Sequence, residues 1–155
     1  MYKLLVISDT HNDIEAVERI VGREQDIHGI LHLGDTVEDL HAASIPSGID
    51  IHCVHGNCDA STGEKKITLT VHDVRVYATH GDLYGVKSSL DLLHSHVKEH
   101  DAAIGFFGHT HAPVCKKKDG VELYNPGTVT KGEYIIATFE NGSYVIEFKE
   151  LGCGA

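Results

Sequence analysis

The run Leu4–Ile7 is apolar without a break and very short, which suits a strand buried on both faces. A helix signature follows at once. Asn12-Asp13-Ile14-Glu15 has a capping-box pattern, and Ile14, Val17, Ile20 and Val21 form an apolar stripe at helical spacing. Ile30–Leu33 and Ile49–Val54 read as the next two strands, with a short helix near Val37–Ala43 between them and Thr36 as its expected cap.

The rest of the chain turns antiparallel in character. Ile67–Val71 and Val74–Thr79 flank His72-Asp73 as a hairpin. Val86, Leu90, Leu93 and Val97, spaced i, i+4, i+7 and i+11, predict a longer helix. Ala103–Phe107 is a further buried strand. Asp119-Gly120 is expected to join Val114–Lys117 to Val121–Tyr124, and Asn141-Gly142 to join Tyr134–Phe139 to Tyr144–Phe148. With no linker or repeat, this pattern predicts one α/β layered domain over residues 1–155.

The polar residues that interrupt the pattern fall at strand ends. The first strand ends in Ser8-Asp9-Thr10-His11, the second in Gly34-Asp35, and the third in Gly56-Asn57-Cys58-Asp59. Val74–Thr79 runs into His80-Gly81-Asp82, and Ala103–Phe107 into Gly108-His109-Thr110-His111. In open α/β sheets the carboxyl ends of strands converge on one crevice. Taken singly, each match is bland: Asp9 or Asn12 suits a helix cap, Gly-Asp and Gly-Asn are turn dipeptides, and His-Thr-His suits a surface loop. Unrelated caps and turns have no reason, however, to place a metal-binding side chain after five strands in turn. The donors are Asp9, His11, Asp35, Asn57, His80, His109 and His111. Seven nitrogen and oxygen donors exceed the need of one ion and suit two ions sharing a carboxylate. No thiolate is required, so the set fits Mn²⁺, Fe, Co²⁺, Ni²⁺ or Zn²⁺.

Charge narrows the class further. Acidic residues outnumber Lys and Arg by 23 to 13, which argues against binding extended nucleic acid through phosphate neutralisation. The 13 histidines equal Lys and Arg combined and keep metal in view. Cys53, Cys58, Cys115 and Cys153 form no C-x-x-C pair, so a zinc ribbon is not expected and free thiols in a reducing compartment are. No stretch approaches the length of a membrane span, and the start of the chain lacks a signal-peptide pattern. The expected address is the cytoplasm.

In their order, Asp9-x-His11, Gly34-Asp35, Gly56-Asn57-Cys58-Asp59, His80 and Gly108-His109-Thr110-His111, with Asn125-Pro126-Gly127 after them, closely resemble the calcineurin-like metallophosphoesterase superfamily. Length and Gly-Asn-Cys-Asp are most similar to its small single-domain prokaryotic phosphodiesterase branch. The resemblance implies a four-layer α/β/β/α sandwich with a dinuclear site on loops at one edge. It assigns Asp9, His11, Asp35 and His111 to one ion, and Asp35, Asn57, His80 and His109 to the other, Asp35 bridging. Asp35, Asn57 and His80, with Asp59 as a supporting acid, form the implied catalytic set. The implied cofactors are two divalent transition-metal ions, Mn²⁺ foremost. The implied reaction is hydrolysis of a small or activated phosphodiester by a metal-bridging hydroxide.

Three departures bear on the pocket. Where many members carry a histidine that protonates the leaving group, this chain has Cys58. A thiol of pKa ~8.5 is a poorer acid near neutrality than imidazole at ~6.5, so Cys58 reads as a small, partly buried supporting residue. Asp82 stands where close relatives often have a second histidine. The loop after Gly127 is short and lacks their arginine; Lys131 is a solvated lysine on this reading. The same fold also resembles the retromer scaffold subunit, so a non-catalytic protein-docking module is the rival function. Small members of the branch often self-associate, which makes a homodimer or higher homo-oligomer the expected state.

Overall fold

The computed structural model describes residues 1–59 and 63–151; Cys153 lies outside them. Strands β1 (Tyr2–Ile7), β2 (Gly29–His32) and β3 (Asp50–Cys53) run parallel, and β9 (Glu133–Glu140) and β10 (Ser143–Glu150) extend them antiparallel in the order β10-β9-β1-β2-β3. A second sheet orders β4 (Lys66–Val71), β5 (Val74–Thr79), β6 (Ile104–Phe106), β8 (Val121–Pro126) and β7 (Pro113–Lys118) as β4-β5-β6-β8-β7, with β5, β6 and β8 parallel.

Side-chain alternation explains why Leu4–Ile7 of β1 is an unbroken apolar run. Leu4 and Val6 face inward and pack with Leu31, Val76, Ala78, Phe106 and Ile135 between the two sheets. Leu5 and Ile7 face outward onto α1 (Ile14–Arg23) and α2 (Asp39–Ala42), meeting Val17, Ile20 and Leu40. On the far side, Tyr77, Phe107 and Leu123 pack against Leu93 and Val97 of α3 (Asp91–Glu99). Three apolar interfaces thus separate four layers, α/β/β/α. Each fully buried Leu or Ile in them contributes about 1.5–3 kcal/mol relative to exposure. Among the described residues no helix is long and apolar enough to cross a membrane.

The hairpins fall where the turn residues place them, at His72-Asp73, Asp119-Gly120 and Asn141-Gly142. Three local expectations shift. The cap of α1 is Asp13, whose Oδ1 accepts the Ala16 N–H at 3.2 Å, so no reciprocal Asn12–Glu15 box forms. Thr36 does not cap α2 with its side chain; at φ +66° it gives only its carbonyl, to the Asp39 N–H at 3.0 Å. The helix expected from Val86 begins only at Asp91. Gly85 is left-handed at φ +59°, and the Ser89 hydroxyl accepts the Asp91 N–H at 3.1 Å, starting the helix there. Val86 and Leu90 join the same apolar interface from the preceding turn, which is why their spacing imitated a helix.

Candidate metal centre

The strands put their carboxyl ends at one edge, and the chain bends sharply as it leaves them. Asp9 (φ +55°), His11 (+43°), Asp35 (+65°), His109 (+70°) and His111 (+61°) all lie in the left-handed region. Such a conformation costs a non-glycine residue on the order of 1–3 kcal/mol and persists only where the surroundings enforce it. Five of the seven expected donors are therefore held in bends that the backbone alone disfavours and the fold enforces.

These bends bring the donors together. Ligand atoms of Asp9, His11, Asp35 and His111 lie within 4.8 Å of one another, and so do those of Asp35, His80 and His109. Asp35 belongs to both groups. Asp9 Oδ1 is 3.2 Å from His111 Nε2, 3.7 Å from His11 Nε2 and 4.0 Å from His80 Nε2. Nε2 of His11 and Nε2 of His111 face each other at 3.4 Å, and His80 Nε2 faces His109 Nδ1 at 3.2 Å. Exposure rises from 0% at the Asp9 side chain to 33% at His11 and 46% at His111, so the cluster opens to solvent beside these two histidines. Asn57 sits exposed in the turn before Cys58, whose N–H donates to Asp35 Oδ1 at 2.9 Å.

Two details test whether this arrangement fits cations. Asp9 Oδ2 accepts from the Ser8 hydroxyl at 2.6 Å and the His109 N–H at 3.2 Å, whereas its buried Oδ1 has no hydrogen-bond partner. A buried carboxylate oxygen without a donor is costly unless a positive charge faces it. His80 gives the second. Its Nδ1 lies 2.8 Å from the Leu33 carbonyl, which only accepts, so Nδ1 carries the proton. That leaves Nε2 as the ring nitrogen facing Asp35 Oδ2, 3.3 Å away, where the two atoms would serve together as ligands of a cation. The residues fit divalent metal.

Supporting contacts fix the loops. Asp59 accepts four backbone N–H groups: Asp35 at 2.7 Å and Gly56 at 2.8 Å on Oδ2, and Thr36 at 2.8 Å and Val37 at 3.0 Å on Oδ1. Burial works against its ionisation, but these bonds outweigh it and hold the carboxyl below the ordinary Asp range. Buried Asn125 donates to the Gly108 carbonyl at 3.1 Å and Thr110 Oγ1 at 2.9 Å, while the Thr128 hydroxyl donates to the Asp9 carbonyl at 2.9 Å. Gly108 allows a close approach: a Cβ there would lie 2.0 Å from Ser8 Oγ and 3.0 Å from Asp9 Oδ2.

The departures find places too. Cys58 is exposed rather than partly buried, because its turn stands at the rim; what burial there is, with the carboxylate of Asp35, pushes the thiol pKa up. Burial, then neighbouring His80 and Lys87, hold the His109 pKa down, which favours the neutral, ligating imidazole. Lys131 lines a cleft of about 350 Å³ with Asp13, Glu15 and Glu150. His32, Asp39 and Thr128 are all buried beside the turns, and the sequence singles out only His32, as a strand histidine suited to the core or to supporting a ligand. Asp39 and Thr128 give no signal beyond ordinary helix and loop chemistry.

Known proteins bear on the whole arrangement. Residues 2–144 match the model of the calcineurin-like phosphoesterase superfamily domain. The probable metallophosphoesterase YsnB of Bacillus subtilis is 30% identical over 154 residues, spanning 94% of this chain and 89% of its own. Phosphodiesterase YfcE of Escherichia coli K12 is 24% identical, over 84% of this chain and 80% of its own. Vps29 from Entamoeba histolytica shares the fold with a TM-score of 0.76 at 18% identity, covering 97% of this chain and 99% of that one.

Proposed function

The chain belongs to the calcineurin-like phosphoesterase superfamily, and on that footing we propose that it is a metal-dependent phosphodiesterase taking two divalent ions, Mn²⁺ first among them, and hydrolysing a small or activated phosphodiester. The observation that carries this reading is the buried, unpartnered Oδ1 of Asp9 facing the ring nitrogens of His11, His80 and His111. In the proposed assignment Asp9, His11, Asp35 and His111 hold one ion, and Asp35, Asn57, His80 and His109 the other. When bound, the ions supply Lewis acidity, which activates water and offsets charge on the phosphoryl oxygens.

The chain's own part is to orient. The Leu33 carbonyl aims His80 Nε2 inward, and Asp59 holds the Asp35 backbone through a 2.7 Å bond. The opening beside His11 and His111 is the side from which a diester would enter. Proton delivery to the leaving alkoxide is the weak point. The Cys58 thiol, its pKa raised by burial and by Asp35, is a feeble acid near neutrality. Diesters whose leaving group departs without protonation are therefore the better substrates. A reducing cytosol suits the free thiols Cys53, Cys58 and Cys115.

The Vps29 likeness, one of fold, favours a second reading: a docking module that binds ions without turnover. Metal-stripped protein assayed on bis-p-nitrophenyl phosphate and the matching monoester, with Mn²⁺, Ni²⁺, Zn²⁺ or Mg²⁺ restored in turn, separates the two. Diester turnover that returns with metal and collapses in Asn57→Ala and His80→Ala supports the enzyme. Ion binding without turnover under any metal supports the docking module.

A further inference from the structure

Between the candidate ligands Asp9 and His11 stands Thr10, a fully buried residue. Its hydroxyl is crowded: Asp39 Oδ2 lies at 2.6 Å, His32 Nε2 at 3.1 Å, the Thr36 carbonyl at 3.1 Å and the Asp35 carbonyl at 3.5 Å. A hydroxyl has one proton to give, and the neighbours decide where it goes. The Gly34 N–H, at 3.0 Å from His32 Nδ1, can only donate, so Nδ1 accepts. Burial holds the His32 pKa down at about 4, so the ring is neutral with its single proton on Nε2. That proton goes to Thr10 Oγ1, and the Thr10 proton in turn goes to Asp39 Oδ2. The same Asp39 oxygen also accepts the Asn12 N–H at 2.8 Å.

The result is a chain of bonds, its shortest link at Asp39: Gly34 N–H to His32, His32 to Thr10, Thr10 to Asp39, and Asn12 N–H to Asp39. Its ends are the residue before Asp35 and the residue after His11. His32 and Thr10 are 0% exposed and Asp39 is 2% exposed, so water does not compete for these bonds. The two backbone turns it joins are those in which Asp9, His11, Asn12, Asp35 and Thr36 all have positive φ. Such turns need an external restraint, and this chain of bonds supplies one from beneath.

We propose that Thr10, with His32 and Asp39, is a positioning device that sets the separation of Asp9 and His11 from Asp35, and thereby the affinity of the ion site these residues share with His111. None of the three touches substrate or ion; they act through the turns. The proposal rests on the metal reading above.

Calorimetric titration of chelator-stripped protein with Mn²⁺ tests it in three forms: native, Thr10→Val, which keeps the shape and removes the hydroxyl, and Thr10→Ser, which keeps the hydroxyl. Thr10→Val is expected to weaken one of two ion sites by about 10–100-fold and leave the other unchanged, with Thr10→Ser close to native. Native binding of both ions with Thr10→Val indistinguishable from it overturns the positioning role alone. Loss of fold stability in Thr10→Val with both affinities kept does the same. No binding in native protein overturns the metal reading together with this one. Should Thr10→Val not fold, nitrogen NMR of His32 in native apo protein decides. A protonated, exchange-protected Nε2 is expected; a proton on Nδ1 overturns the proposal.

Discussion

Asp59 shows how much a single side chain can hold. Its two oxygens take four backbone N–H groups from two loops, and no neutral residue of that size accepts four. Asp59→Asn replaces one acceptor oxygen with a donor facing N–H groups, which is expected to cost roughly 1–3 kcal/mol of stability. Thermal unfolding of the apo protein measures this. Since the folded carboxyl ionises below its usual range, its stabilising effect is present above the ordinary Asp pKa and fades as pH falls through the folded value. The variant should therefore approach the native protein in stability in acid. Cys58 yields a functional counterpart. Cys58→His places a group of suitable acidity at the rim, so turnover of diesters with poor leaving groups should rise about ten-fold or more, with little change on p-nitrophenyl esters. Equal gains on both substrates would remove leaving-group protonation as the explanation.

At the level of elements, the strands were legible and the supports were not. Leu4–Ile7 of β1 declares itself because Leu4 and Val6 meet the other sheet while Leu5 and Ile7 meet α1, so all four positions have to be apolar. The candidate donors at the strand ends stand out in the sequence for the opposite reason, as polar groups of one chemical kind recurring where polarity is otherwise unexplained. Apolar spacing places the start of helix α3 too early, because Val86 and Leu90 bury themselves from a turn and a burial period does not record backbone. The chain from His32 through Thr10 to Asp39 is illegible in the sequence, since its members lie on a strand, a loop and a helix and meet only in space.

That chain carries a pH signature. The folded pKa of His32, about 4, lies below the ordinary 6.5. Between those values the unfolded chain binds a proton that the folded one refuses. The contribution of His32 is therefore complete above about pH 6.5 and lost as pH falls toward 4, on the order of 3 kcal/mol in all. Urea unfolding of apo native protein and His32→Gln should show their stability difference shrinking over that window; a constant difference would contradict the buried neutral ring. Gly56 offers a steric test on the neighbouring loop. A Cβ at this residue would lie 2.3 Å from Asp35 Oδ1, so Gly56→Ala should displace Asp35 and weaken both ion sites, as read by Mn²⁺ titration.

For the whole molecule, the two sheets serve as a frame that brings five strand ends from two directions onto one carboxylate. Asp35 is the point they share: it belongs to both donor groups, faces His80 at 3.3 Å, and receives the Cys58 N–H at 2.9 Å. The negative formal charge of −10 leaves the rest of the surface ill suited to phosphate, so on the proposed reading the positive potential for a diester comes from the ions. The most direct test is an elemental count of metal per chain after dialysis against Mn²⁺, for native protein, Asp9→Asn and Asp35→Ala. The account predicts two ions in native protein, one in Asp9→Asn and none held tightly in Asp35→Ala. Two ions persisting in Asp35→Ala, or a single ion in native protein, would contradict a centre built around a shared carboxylate.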